Sequence, residues 1–246
     1  MSGGALAGQV AIVSGSSSGI GAATARRLAA DGAAVVVNSS SSTEAGERLA
    51  AELPRAIYVQ GSVADEADCK RLVAAAVDHF GRLDILVNNA GTTQVIPHAD
   101  LDAVTAEVFR RILDVNLLGT WYLCRAALPE LRKADSPVIV NVTSLAGVRP
   151  TGSSIPYAVS KAAINHLTVL LARVVGPVRV NAVAPGLVAT PWTQDWGGLH
   201  ALVAQNAPLG RSATAEDVAD TIYGVVISRY MTGEVVVVDG GLGLVS

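Results

Sequence analysis

Tyr157 and Lys161 stand four residues apart in the stretch Tyr157-Ala158-Val159-Ser160-Lys161, with Ser144 upstream. On a helix this spacing puts the phenol and the ammonium on one face, one turn apart. A free phenol, with a pKa near ~10, exchanges protons poorly at neutral pH. A neighbouring positive charge favours the phenolate, so Lys161 is expected to pull the Tyr157 phenol down. The pair is suited to passing a proton. Tyr-x-x-x-Lys alone is a common helical pattern. It gains weight from Val13-Ser14-Gly15-Ser16-Ser17-Ser18-Gly19-Ile20-Gly21 near the N-terminus. Glycines allow a tight turn and close approach of a phosphate. A helix N-terminus adds free N–H groups and a favourable dipole. A dinucleotide cradle and a proton donor in one chain point to chemistry between carbonyls and alcohols.

These groups need elements to hold them. Apolar runs at residues 10–13, 33–37, 56–60, 84–87, 138–142, 178–183 and 234–238 read as strands. Helical segments lie between them at 20–30, 43–53, 65–80, 156–175 and 215–228. A longer helical region at 101–133 is expected to bend near Gly119 or Pro129. Strands that are apolar throughout are buried on both faces. Their alternation with helices gives parallel β-α-β units with right-handed crossovers. The expected fold is α/β, a single-domain, Rossmann-like, doubly wound parallel sheet of about seven strands with helices on both faces, spanning residues 1–246. Residues 190–208, rich in Gly, Trp and polar side chains, follow the sixth strand and read as a lid.

Half of the 246 residues are hydrophobic and only 16% are charged, a composition that supports one large core. A net charge of −3 leaves no electrostatic footprint for nucleic acid or an anionic membrane. No apolar run approaches the ~20 residues that span a bilayer. Met1 to Gly8 lacks the basic and apolar regions of a signal peptide. Cys69 and Cys124 are far apart, which fits a reducing compartment better than a disulfide framework. The expected location is cytoplasmic. The four histidines, His79, His98, His166 and His200, show no metal-ligand spacing, so no metal is expected.

The glycine spacing is Gly-x-x-x-Gly-x-Gly, and here the chain resembles the classical short-chain dehydrogenase/reductase family over nearly its whole length. Gly15-x-x-x-Gly19-Ile20-Gly21 is similar to the family's cofactor loop, and Asn88-Asn89-Ala90-Gly91 to its motif after the fourth strand. Asn116, Ser144, Tyr157 and Lys161 match its catalytic set in order and spacing. Pro185-Gly186 followed by Thr190 resembles its nicotinamide-side loop, and Val238-Asp239-Gly240-Gly241 its C-terminal strand. Each residue also has a structural reading by itself: Ser144 as a strand-end cap, Asn116 as a partner for a helix carbonyl, Tyr157 as a packed ring, Lys161 as a solvated cation. Two positions depart from the pattern. Ser14 replaces the usual Thr and keeps a hydroxyl for the Asn88–Gly91 loop. Ser62, followed by Val63, stands where the family often has an Asp beside the adenine.

The resemblance implies hydride transfer between a nicotinamide cofactor and a ketone or secondary alcohol. Tyr157 would exchange the proton and Lys161 would lower its pKa and bind ribose. Ser144 would hold the substrate oxygen, and Asn116 would anchor a water linking Lys161 to solvent. Cofactor contacts are expected from Gly15, Ser17, Ser18, Gly19 and Ile20, then from Asn38, Ser39 and Ser40. Further along the chain they are expected from Ser62, Val63, Asn89, Ala90 and Gly91, and last from Tyr157, Lys161, Pro185, Gly186, Val188 and Thr190. The second strand ends Asn38-Ser39-Ser40 without the acid that accepts a ribose 2′-hydroxyl. That favours NADP, with NAD as the alternative. Leu145, Val148 and Ile155 are candidates to face substrate. Trp192 and Trp196 read either as walls of an apolar pocket or as packing anchors of the lid. The resemblance also implies a homotetramer or homodimer.

A carbonyl reductase or alcohol dehydrogenase of small molecules is one reading. A second is a reductase of 3-oxoacyl groups on acyl carrier protein, which needs a basic surface for an acidic partner. Arg179, Arg132 and Lys133 are its candidate cations, and Pro208-Leu209-Gly210-Arg211 is shared with such reductases. A third, a nicotinamide-sensing protein without turnover, is opposed by the Tyr-Lys pair.

Overall fold

Apolar strands seek cover on both faces, and the sheet gives it to them. The computed structural model describes residues 4–245. Residues 1–3 and 246 of the expected 1–246 unit lie outside the described residues. Strands β1 (Val10–Val13), β2 (Ala34–Ser39), β4 (Ile85–Asn88), β5 (Val138–Val142) and β6 (Arg179–Pro185) are buried at every position. The edge strands β3 (Ala56–Gln60) and β9 (Val235–Val238) are more open. The order is β3-β2-β1-β4-β5-β6-β9, and every neighbouring pair is parallel. The winding reverses beside β1, which opens a crevice at the carboxyl ends of β1 and β4.

Helices cover both faces. Ala11 and Val13 of β1 pack with Leu28 of α1 (Gly19–Ala30) and Ile222 of α8 (Ala215–Ile227). Val10 and Ile12 turn the other way, toward Leu72 of α3 (Glu66–Phe80), Leu123 of α5 (Gly119–Leu131) and Leu171 of α6 (Ile155–Val174). Helix α2 (Thr43–Glu52) links β2 to β3. Helix α3 carries its own punctuation. The Asp65 carboxylate accepts from the Ala67 and Asp68 N–H groups, and Gly81 ends the helix with φ +82°.

The long helical region runs without a break from Ala106 to Leu131 and carries a π-turn directly before Gly119, one of the two positions at which a bend was expected. Helix α4 (Ala106–Leu113) passes into a π-turn at Asp114–Leu118 and then into α5. At Gly119, the first residue of α5, a side chain would not fit: its Cβ would lie 2.7 Å from Val63 Cγ2. Pro129 sits inside α5 without ending it. Two features were not expected. Helix α7 (Gly197–Asn206) forms within the lid, and β7 (Val188–Ala189) pairs with β8 (Ala213–Thr214) in a second, two-stranded sheet. Among the described residues no helix is long and apolar enough to cross a membrane.

Candidate functional site

The crevice at the strand ends is a cleft of about 1100 Å³. Its inner half is made from loops sewn together by backbone groups. The Ser14 hydroxyl accepts from the Asn89 and Ala90 N–H groups at 3.0 and 3.1 Å. The Asn89 amide donates to the Ser14 and Gly15 carbonyls at 2.9 and 3.0 Å. The loop after β1 is thereby fixed to the loop after β4. Ser keeps the bond for which the hydroxyl was expected. Gly15 has φ +61°, and a Cβ there would sit 2.8 Å from Ala90 Cα. A Cβ on Gly21 would meet Asn89 Nδ2 and the Gly15 carbonyl at 2.5 Å.

This cradle fits the diphosphate of a dinucleotide. Ser18 makes no side-chain bond to the start of α1, and the first turn holds no acid. The first N–H groups of α1 are therefore available to an anion. Further out, Asn38 proves to be a buried hub. Its Oδ1 accepts from the Gly15 N–H at 3.2 Å, and its Nδ2 donates to the Val59 and Gly61 carbonyls at 3.1 and 3.0 Å. The Ser39 hydroxyl lies 2.8 Å from the Tyr58 hydroxyl. Ser40 and Ser42 line the cleft and are exposed. Ser62 donates its N–H to Asp68 at 2.8 Å, so a carboxylate absent from the chain position returns from α3 as a buttress.

Ser144, Tyr157 and Lys161 lie on the wall where the two halves meet. Ser144 caps the short turn Leu145–Gly147, its hydroxyl accepting from the Ala146 N–H at 3.1 Å. Tyr157 stands in the first turn of α6, half-buried, with the Trp192 ring edge-on at 6.4 Å between centroids. The Lys161 ammonium is 5.7 Å from the centre of the Tyr157 ring and donates to the Val142 carbonyl at 2.9 Å. No carboxylate pairs with it among the described residues, and burial pulls its pKa down to about 8.

The expected lowering of the Tyr157 pKa is not what this cleft produces. Burial pushes the phenol up, and only the hydrogen bond with Ser144 opposes the rise. The physical reason is that Lys161 lies beside the ring while desolvation acts on the oxygen itself. Asn116 is fully buried behind the cleft, its Oδ1 accepting from the Thr92 N–H at 2.8 Å. Its amide donates to the Thr92 carbonyl at 3.1 Å and the Ser160 hydroxyl at 3.0 Å. With both amide hydrogens engaged, the side chain clamps the loop after β4.

The residues expected to hold the cofactor all line this one cleft, and so do Leu145, Trp192 and Trp196. Val148 and Ile155 do not. Val148 closes the turn after Ser144 with its side chain toward solvent. Ile155 precedes Tyr157 by two residues, about 200° around the helix. Arg179 is corrected too: it is buried and donates to the Val225, Val226 and Ser228 carbonyls at the end of α8. Lys133 is paired with Glu130, and Arg211 with Asp217. Of these cations only Arg179 is withdrawn from the surface; Lys133 and Arg211 are paired but exposed, and Arg132 is exposed. The sequence reading missed Thr92, Thr93, Ser153 and Leu242, which line the outer half from loops distant in the chain. No local pattern marks them.

Comparison with known proteins agrees with this architecture. Residues 15–243 match the family model described as enoyl-(acyl carrier protein) reductase. A protein of Streptomyces violaceoruber that carries the name ketoacyl reductase 2 of the granaticin polyketide synthase is 56% identical over 239 residues, 96% of each chain. The 3-oxoacyl-[acyl-carrier-protein] reductase of Synechocystis is 38% identical over 97% of this chain and 98% of its own. The crystal structure of a short-chain dehydrogenase/reductase, "SDR:Glucose/ribitol dehydrogenase", from Brucella melitensis superimposes with a TM-score of 0.91 at 30% identity, covering 96% of this chain and 97% of that one. On fold, motif order and these matches, the chain belongs to the classical short-chain dehydrogenase/reductase family, nicotinamide-dependent oxidoreductases of ketone and secondary-alcohol groups.

Proposed function

We propose that this protein is an NADP-dependent carbonyl reductase in which Tyr157 delivers the proton. The observation that carries the reading is the position of Tyr157, Ser144 and Lys161 on one wall, between the diphosphate cradle and an outer half lined by Trp192 and Trp196. A bound nicotinamide supplies the hydride. The residues of the chain do the rest. The Ser144 hydroxyl holds the carbonyl oxygen and shares its growing negative charge. Tyr157, a phenol and so protonated at neutral pH, gives its proton to that oxygen. The Lys161 ammonium then stabilises the phenolate left behind. In reduction the phenol is the acid and in oxidation the phenolate is the base, so alcohol oxidation is expected to quicken as pH rises.

Cofactor choice follows from the end of β2. Ser39 closes that strand with no acid, so nothing there repels a 2′-phosphate. The exposed hydroxyls of Ser40 and Ser42 are its expected donors, because that of Ser39 is shared with Tyr58. The substrate end sets the apolar Leu145, Trp192, Trp196 and Leu242 beside the hydroxyls of Thr92, Thr93 and Ser153, and these walls are uncharged. A neutral, ring-bearing or acyl ketone suits it. A ketoacyl substrate is the second reading, favoured by the name of the 56% identical relative. A homotetramer or homodimer is expected through α5 and α6, where Trp121, Val169, Leu170 and Val174 are exposed. The reduced, buried Cys69 and Cys124 fit a cytoplasmic setting. The test follows NADPH absorbance with a panel of neutral ketones and an acetoacetyl thioester. Consumption with either class supports the reading, and the preferred class selects between the two. No consumption of NADPH or NADH with any member overturns it.

A further inference from the structure

Helix α7 has little of its own to hold it in place. It opens with Gly197-Gly198, two poor helix formers, and no side chain caps its N-terminus. Ten residues of this kind are marginal as an isolated helix. Only Val203 among them is buried. Yet its inward face, Leu199 and Val203 with Trp196 at its start, lines the outer half of the cleft. Leu199, 43% exposed, and Trp192, 46% exposed with its edge toward Tyr157, thus leave apolar surface open over the place where a ketone would sit.

One side chain on α7 makes polar bonds in two directions. His200 Nδ1 lies 2.8 Å from the Ser212 hydroxyl. Its Nε2 lies 3.2 Å from the Thr193 carbonyl and 3.3 Å from the Thr193 hydroxyl. Ser212 leads directly into β8, and the Thr193 hydroxyl donates to the Val188 carbonyl of β7 at 2.6 Å. The imidazole therefore ties α7 to both strands of the small sheet at the rim of the cleft. A neutral ring satisfies the arrangement, with Nε2–H donating to the Thr193 carbonyl and Nδ1 accepting from the Ser212 hydroxyl.

We propose that His200 is a positioning residue for substrate: it latches the lid helix at a fixed height over the outer half of the cleft. It touches no reacting atom and acts through Trp196, Leu199 and Val203. The proposal rests on the reading above that this half receives the ketone. Loss of the latch should weaken substrate binding while leaving the cradle for the cofactor intact.

The test compares wild type, His200→Ala and His200→Gln, the last retaining groups able to bond one partner. Amide hydrogen exchange over residues 197–206 is measured without ligand. In His200→Ala it is expected to quicken about tenfold, the worth of one or two lost hydrogen bonds. With a ketone from the panel, KM should rise about tenfold in the same variant. The turnover number should change less, and the Kd for NADPH should stay as in wild type. His200→Gln should recover part of both effects. Unchanged exchange and KM in His200→Ala would overturn the proposal. An equal loss of NADPH affinity, turnover and substrate affinity would do so too, marking a general structural role. If wild type reduces no ketone, the functional reading fails, and the exchange measurement still decides for or against the latch.

Discussion

Where the cleft meets the sheet its walls are backbone, and where it meets solvent they are side chains on a thin helix. In the inner half, Ser14, Asn89 and Asn38 bond main-chain groups of three separate loops, and Gly15 and Gly21 leave no room for a Cβ. In the outer half, α7 rests on Val203 and His200, and a Cβ on Gly197 or Gly198 would meet nothing within 4 Å. The difference has a physical lesson. A cofactor of constant shape is held by a frame whose geometry the backbone dictates. A substrate is held by a surface that can be re-shaped without disturbing that frame.

Substitutions can break or sharpen this contrast. The largest effect is expected at the rim of the inner frame. Ser39→Asp places a carboxylate where a 2′-phosphate must lie. It should reduce the NADPH-to-NADH ratio of kcat/KM by ~10²-fold or more, since facing like charges cost several kcal/mol. Initial rates with both cofactors would measure it, and an unchanged ratio would remove Ser39 from cofactor choice. Next is Gly21→Ala, which forces a methyl against Asn89 and the Gly15 carbonyl. A loss of about 2–3 kcal/mol in urea unfolding is expected, with weaker NADPH binding.

Lys161→Met should cost activity and add stability. The ammonium, held at about 8 against a normal 10.5, carries a burial cost of up to about 3 kcal/mol. Loss of its bond to the Val142 carbonyl offsets part, leaving a net gain of about 1–2 kcal/mol at pH 7. The sign with pH follows from linkage. Between about pH 8 and 10.5 the unfolded lysine binds more proton than the folded one, so wild-type stability rises across that window. The advantage of the variant should therefore shrink over the same range, and a gap independent of pH would contradict the assignment. The smallest effect belongs to the outer half. Gly198→Ala, in open space in the first turn of α7, should stabilise by up to about 1 kcal/mol and leave NADPH affinity unchanged.

The same contrast explains what the sequence revealed. Strands at 10–13 and 138–142 were found from their apolar residues, because burial at every position leaves little other composition; the edge strand at 56–60 is more open, yet its apolar residues marked it too. The glycine loop and Tyr157-x-x-x-Lys161 are legible because each function needs fixed spacing within one element. The outer half was legible only in part: Leu145, Trp192 and Trp196 were expected there and line the cleft. Gly197-Gly198 reads as a loop, and the bonds from His200 to Thr193 and Ser212 that accompany α7 leave no mark in the local pattern. Thr92 and Leu242 reach the cleft only through tertiary folding. The Tyr157 pKa shift was misjudged for a related reason: spacing shows a neighbour but not the depth of burial.

The most direct test of the central claim is the turnover of Tyr157→Phe with saturating NADPH and the best ketone of the panel. The account predicts a fall in kcat of ~10²–10⁴, the usual contribution of a positioned general acid, with the Kd for NADPH within about threefold of wild type. Turnover near that of wild type would contradict it.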